Sequence, residues 1–177
     1  MNFDELLIKI RILLQNKKQI DDLKYLSDKN ILYSQNEAVR QLLASLSILI
    51  ISEDEDFLNS YNSLLKELNV TVLLAKDKEE AIKLFLEHQP ELCLLNNQFK
   101  QCDPLDIFSY LNNLDQNDAI FLLALDQYDN DLVDRIIDLG FNDYLLTNYF
   151  EQEFRHIIYK KLLYKASQDF LKSFIYK

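Results

Sequence analysis

The 177-residue chain contains a single glycine, Gly140, and no tryptophan. Loops that cradle phosphate groups need several glycines, because only then can backbone approach the ligand closely. One glycine cannot build such a loop, which excludes kinase, P-loop and dinucleotide-binding readings. Cysteine is almost as scarce. Cys93 and Cys102 are too few for a disulfide framework, neither has a companion at metal-ligand spacing, and both read as reduced thiols. Long hydrophobic runs are missing as well: Ile48–Ile51 and Ala119–Leu125 are far too short to cross a bilayer. The acidic start Met1-Asn-Phe-Asp-Glu5 lacks the basic region of a secretion signal. Positive charge is in deficit too, with 19 Lys and Arg against 29 Asp and Glu, a net charge of −10. Such a chain repels nucleic-acid phosphates and anionic lipid, so neither is an expected partner, and a cytoplasmic location is the expectation.

Hydrophobic residues are plentiful, at 49%, enough for one domain with a substantial core. From residue 47 their pattern alternates between strand-length apolar runs and helix-period segments. Ile48–Ile51 precedes a helical stripe of Phe57, Tyr61, Leu64, Leu65 and Leu68. Val70–Leu74 is the next strand, and Asp77-Lys-Glu-Glu80 is a helix start with an acid three residues after the cap. Leu92–Leu95 is the third strand, followed by Asp103-Pro104, an N-cap with proline in the first turn. Ala119–Leu125 is the fourth, and its helix (Leu132, Ile136, Leu139) stops at Gly140, where a left-handed residue is most useful. Tyr144–Leu146 is the fifth, with a last helix starting near Asn148–Phe150. Five apolar strands, each followed by a helix, predict a parallel sheet covered on both faces and a doubly wound α/β fold. Its ligand site belongs at the carboxyl ends of the first and third strands, at Ser52-Glu53-Asp54 and Asn96-Asn97.

Both ends of the chain carry further helical pattern. Leu162, Leu163, Ala166, Phe170 and Phe174 continue the last helix beyond its usual length, while Leu6, Leu7, Ile10, Leu13, Leu14, Ile20 and Leu23 form an N-terminal stripe. A shift of 148 positions lays the second on the first, matching Glu5 to Glu153, Ile10 to Ile158, Leu14 to Leu162, Lys17 to Lys165 and Asp21 to Asp169.

From Ser47 to Leu163 the chain resembles the receiver domain of two-component response regulators, a flavodoxin-like module. Ile48-Leu-Ile-Ile-Ser-Glu-Asp-Glu-Asp-Phe-Leu58 resembles that family's first strand and acidic turn. Pro90-Glu-Leu-Cys-Leu-Leu-Asn96 resembles the strand leading to its phosphoacceptor. Leu139-Gly-Phe-Asn-Asp-Tyr-Leu145, the most specific match, resembles its small-residue turn and last strand. The resemblance implies a five-stranded sheet in the order 2-1-3-4-5. Residues 1–46 are then an extra helical segment, the tail of a preceding receiver with a linker near Ser27–Asn36. Residues 47–163 are the receiver-like domain, and 164–177 an exit helix toward an output domain, for which a diguanylate cyclase is a common choice in tandem receivers.

Carried over by position, the family's phosphoacceptor aspartate falls on Asn96 and its two metal-binding acids on Ser52 and Glu53. The hydroxyl residue of its fourth strand falls on Leu123, or on Ala124 one residue further. Its lysine falls on Thr147, its cis-proline on Asn148, and its switch aromatic on Tyr144. Aspartyl phosphorylation needs a carboxylate nucleophile, a bridging divalent cation and a balancing positive charge. An amide oxygen is neutral and a feeble nucleophile, and magnesium prefers charged oxygen ligands. The expectation is therefore a pocket without catalytic residues or cofactor, magnesium binding being weak or absent and Glu53 and Asp54 the only weak candidate ligands. The run Glu53–Asp56 reads mainly as a helix start, where the macrodipole favours acids. His88 and His156 read as helix-surface residues, and Tyr144 first as a packed aromatic. A phosphatase reading would want Asp-x-Asp where Ser52-Glu53-Asp54 stands. The resemblance thus implies a non-phosphorylatable regulatory module that forms a homodimer or contacts neighbouring domains. Its surface would be the helix ending at Leu139, the last strand and the last helix, including Asp131, Asp134, Arg135, Asp143, Arg155 and Lys160. Two alternatives are a receiver phosphorylated at a displaced acid, Asp54 or Asp103, and a small-ligand sensor.

Overall fold

A computed structural model describes residues 37–148 and 151–175; the N-terminal stripe and the Ser27–Asn36 linker lie outside them. The described chain runs α1 (Glu37–Ala44), β1 (Ser47–Ile51), α2 (Glu55–Leu65), a 3-10 turn (Lys66–Leu68), β2 (Thr71–Ala75), α3 (Lys78–His88), β3 (Leu92–Asn96), α4 (Pro104–Leu114), β4 (Ile120–Leu125), α5 (Asn130–Leu139), β5 (Asp143–Leu146) and α6 (Glu151–Ile175). The strands form one five-stranded sheet in the order β2-β1-β3-β4-β5, parallel throughout. This is the flavodoxin-like order. The register aligns Ile50 with both Leu74 and Leu94, and Asn96 with Ala124. Among the described residues no helix is long and apolar enough to cross a membrane.

Aspartate starts four of the helices. The side chains of Asp54, Asp77, Asp103 and Asp129 accept backbone N–H bonds at the starts of α2, α3, α4 and α5. Each such cap stabilises a helix by about 1 kcal/mol. At α3 the expected acid completes the motif with a shift of one residue: Glu80 donates its N–H to Asp77, while its carboxylate accepts from the N–H of Lys76. Pro104 opens α4, where its missing N–H costs nothing.

Alternation along the strands divides the core in two. On one face Ile48, Ile50, Leu94, Leu122 and Leu145 pack against α2 and α6 through Leu58, Leu65, Phe154, Ile158 and Leu162. Leu43 of α1 and Leu46 join this face, so the packed unit includes residues before Ser47. On the other face Leu49, Ile51, Cys93, Leu95, Phe121 and Leu123 meet α3, α4 and α5. Three aromatic contacts centre that side: Phe108 sits edge-on to Phe121 at 5.1 Å and stacks on Phe141 at 3.9 Å, and Phe85 stacks on Phe121 at 6.0 Å.

The chain reaches Phe141 through Gly140, which ends α5 at φ 103° and donates its N–H to carbonyls of the last turn. A Cβ there would meet only the Phe108 ring, at 3.9 Å, so the constraint is conformational rather than steric. Gly140→Ala is therefore expected to lower the unfolding free energy by about 1–2 kcal/mol, read from the urea midpoint, with the secondary structure unchanged.

Candidate functional site

The two central strands end side by side in polar residues. Ser52, directly after β1, and Asn96, the last residue of β3, are both buried, at 0% and 4% exposure. A polar group withdrawn from water must be hydrogen-bonded or it costs about 1–3 kcal/mol. Here both ends of the amide are paired. Asn96 donates from Nδ2 to the Ser52 hydroxyl at 2.9 Å, and its Oδ1 accepts the N–H of Gln98 at 3.0 Å. Ser52 Oγ also accepts the N–H of Asp54 at 3.1 Å, which sets the turn into α2.

Glu53 faces the β3–α4 loop. One carboxylate oxygen accepts the N–H of Lys100 at 2.9 Å and the other that of Gln101 at 3.1 Å. Asp54 is committed as the cap of α2, accepting from Asp56 and Phe57. A magnesium ion would want charged oxygens free to point at it. This donor set, a hydroxyl, an amide and a carboxylate bound to two backbone N–H groups, does not fit the ion. Among the described residues no group of three His, Cys, Asp or Glu side chains is placed to hold a metal.

The register moves one expected position. Alternation puts Ser52, Asn96 and the residue paired with Asn96 on one side of the sheet, and that residue is Ala124. Leu123 pairs with Leu95 and packs in the opposite core, so Ala124, the alternative, faces the pocket and Leu123 does not. Neither carries a hydroxyl.

Two residues on from Ala124, Asp126 supplies an acid that the sequence reading passed over. It accepts from the Thr147 hydroxyl at 3.0 Å and from the Gln98 side chain. Its carboxylate also pushes up the pKa of the Tyr61 phenol, after the larger effect of burial. The signal was present in sequence: an acid directly following an apolar run, as Ser52 and Asn96 follow the runs ending at Ile51 and Leu95. A chain of hydrogen bonds thus crosses the carboxyl edge of β1, β3, β4 and β5 through Ser52, Asn96, Gln98, Asp126 and Thr147. Tyr144 is half-buried against the α3–α5 core, its ring 5.9 Å from that of Tyr128.

The expected docking surface is brought together in part. Asp131, Asp134 and Lys160 are exposed, Arg135 lies 3.8 Å from Asp103, and Asp143 pairs with Lys161 at 2.5 Å. Arg155 is elsewhere. Its guanidinium meets Glu67 of the 3-10 turn at 3.0 Å, because its neighbour Phe154 packs edge-on against Tyr61 of α2. Two residues not anticipated there, Ile137 and Leu139 of α5, are exposed. His88 lies on the exposed side of α3 and His156 is half-buried on α6. Both thiols are shifted upward: Cys93 well above the usual value, chiefly by burial, and Cys102 by partial burial and then by Glu53.

A family model described as the response regulator receiver domain matches residues 48–159. An uncharacterized 14.6 kDa protein of Leptolyngbya boryana is 27% identical over 107 residues, 59% of this chain and 81% of that protein. Among solved structures, the chain is similar to a response regulator receiver domain protein from Methanospirillum hungatei JF-1, with a TM-score of 0.63 and 15% identity over 70% of this chain and 98% of that one. It is also similar to a protein described as a two-component system response regulator/GGDEF domain protein, with a TM-score of 0.64 and 16% identity over 70% of this chain. The chain spans only 51% of the length of that second structure.

If the Asn96–Ser52 bond holds the two strand ends, its removal should be felt in stability. Asn96→Ala is expected to cost about 2 kcal/mol and Ser52→Ala about 1 kcal/mol. A double-mutant cycle in urea should return a coupling of about 1 kcal/mol; strict additivity would mean that the pair is not joined.

Proposed function

The chain belongs to the response regulator receiver domain family, and from that membership we propose that it is a receiver-fold module that does not accept a phosphoryl group. It would work as a docking and dimerisation element in two-component signalling, relaying geometry to an attached output domain. The observation that carries this reading is Asn96. It stands where the resemblance puts the nucleophile, at the carboxyl end of the central strand, with both ends of its amide hydrogen-bonded. A neutral amide offers no charge and only a feebly nucleophilic oxygen for attack on phosphorus. The remaining parts agree. Glu53 is bound to loop N–H groups, and Thr147 brings a hydroxyl where a balancing cation would be wanted. The displaced acids are also engaged, Asp54 and Asp103 as helix caps.

The docking surface we propose comprises α5, β5 and α6. Asp131, Asp134, Arg135 and Lys160 supply charges of both signs on these elements, and α5 adds the exposed apolar side chains of Ile137, which is 58% exposed, and Leu139. Mixed charge with a small exposed apolar area suits a second copy of the same face. For the output domain, the relative described with a GGDEF domain makes a diguanylate cyclase our first candidate. The reading of residues 1–46 as the tail of a preceding receiver with a linker gains from α6: its buried Lys165 pairs with Asp169 at 2.6 Å, and the 148-residue shift sets Lys17 and Asp21 at the same spacing.

Incubation with acetyl phosphate and magnesium, or with beryllofluoride, should give no adduct by intact mass or phosphate-affinity electrophoresis. A stoichiometric, acid-labile phosphoryl group would overturn the proposal. Sedimentation should show a concentration-dependent dimer that Ile137→Asp weakens by about ten-fold or more, about 1.4 kcal/mol.

A further inference from the structure

The β3–α4 loop, residues 97–103, leaves the middle of the sheet and is gripped from both sides. β3 lies between β1 and β4, and the residues just past each of those neighbours send a carboxylate to the loop. From the β1 side, Glu53 takes the N–H groups of Lys100 and Gln101 on its two oxygens. From the β4 side, Asp126 takes the side-chain amide of Gln98 on one oxygen and the Thr147 hydroxyl on the other. Every carboxylate oxygen in the pair has a donor from the protein itself. Hydrogen bonds from N–H to an ionised acceptor are stronger than neutral ones, although these face solvent and each contributes modestly.

We infer that Glu53 and Asp126 act as two carboxylate staples that hold the β3–α4 loop closed over the strand ends, backbone N–H groups standing where a divalent cation would otherwise be bound. The inference deepens the reading of the module as one that is not phosphorylated, and rests on it. The N–H groups of Lys100 and Gln101 compete with an ion for the Glu53 oxygens, so loop closure and cation binding oppose one another. The device is a conformational one: the loop is kept in one arrangement by charge belonging to the chain, independent of any ligand.

Cys102 lies in this loop, half-buried at the edge of the α3–α5 core, while Cys93 is fully buried in β3. The two thiols make an opening assay. Iodoacetamide alkylation of each is followed by peptide mass over a pH series. Removing Glu53 also removes a charge that disfavours the Cys102 thiolate, which would move the pH profile but not its high-pH plateau; opening of the loop raises the plateau. Glu53→Ala and Asp126→Ala are each expected to raise the Cys102 plateau rate by about three-fold, and the double variant by about ten-fold or more, with Cys93 unlabelled. Millimolar magnesium should leave the wild-type rate unchanged. A double variant within two-fold of wild type, or a wild-type rate that responds to magnesium, overturns the inference. If the double variant labels Cys93 in step with Cys102 it has unfolded, and the single variants decide on the same criterion. A phosphoryl adduct on the wild type would instead sink the functional reading, so the two failures are told apart.

Discussion

The bond from the Asn96 amide to the Ser52 hydroxyl joins the carboxyl ends of β3 and β1, and much of the site follows from it. Both partners are buried, so each needs a partner or destabilises the sheet. Asn96 can donate to Ser52 because it carries an NH2 group, and it can still accept the Gln98 N–H because it keeps a carbonyl oxygen. An ionised carboxylate at the same place could only accept. It would bring a charge into a nearly closed space, and would then call for the cation that Glu53, turned to Lys100 and Gln101, is not positioned to help hold. Amide, hydroxyl and loop staple are therefore one solution to a single burial problem.

The arrangement of elements was legible because its signals are local. Capping acids, Pro104 and the left-handed Gly140 each act within one turn of where they stand, and apolar runs of strand length mark a parallel sheet. The side of the sheet was harder. In Ile120-Phe-Leu-Leu-Ala-Leu125 every residue is buried, so no polar alternation says which positions face the pocket, and only pairing with Asn96 selects Ala124 over Leu123. Helix rotation hides in the same way. Spacing along α6 says which residues share a face, but not that Arg155 turns to Glu67, since that depends on where the 3-10 turn lies. Asp126 was missed because resemblance looks for the residues a family's motif names, and the bonds of this acid to Gln98 and Thr147 depend on how the strand ends are brought together.

On the proposed reading, charge explains how the scaffold persists without phosphoryl chemistry. Two carboxylates about 5 Å apart repel by about 3 kcal/mol at an effective dielectric near 20. A cluster of acids at the strand ends is therefore a strain that an ion must relieve, and the strain ties stability to the ion. Here the acids are dispersed instead. Glu53 and Asp126 approach the loop from opposite neighbours of β3, each with its own donors. Asp54, Asp77, Asp103 and Asp129 sit at helix starts, where the N–H groups and the dipole favour them. A chain with a large acidic surplus has thus placed much of it in positions that stabilise helices and loops.

That dispersal bears on what the module can transmit. A switch driven by phosphorylation needs a site whose charge changes and a bistable element that responds to the change. With Asn96 neutral and hydrogen-bonded at both ends, the charge at the centre of the edge is fixed, and the stapled loop has a single source of closure, the chain itself. On the proposed reading, the variable quantity left to the domain is which surface meets which partner. On α5 the exposed Ile137 and Leu139 lie on the helix that follows Asp126 and packs beside Tyr144. A partner seated there would contact a face whose position is set by the packed sheet rather than by a reaction, and information would enter through association.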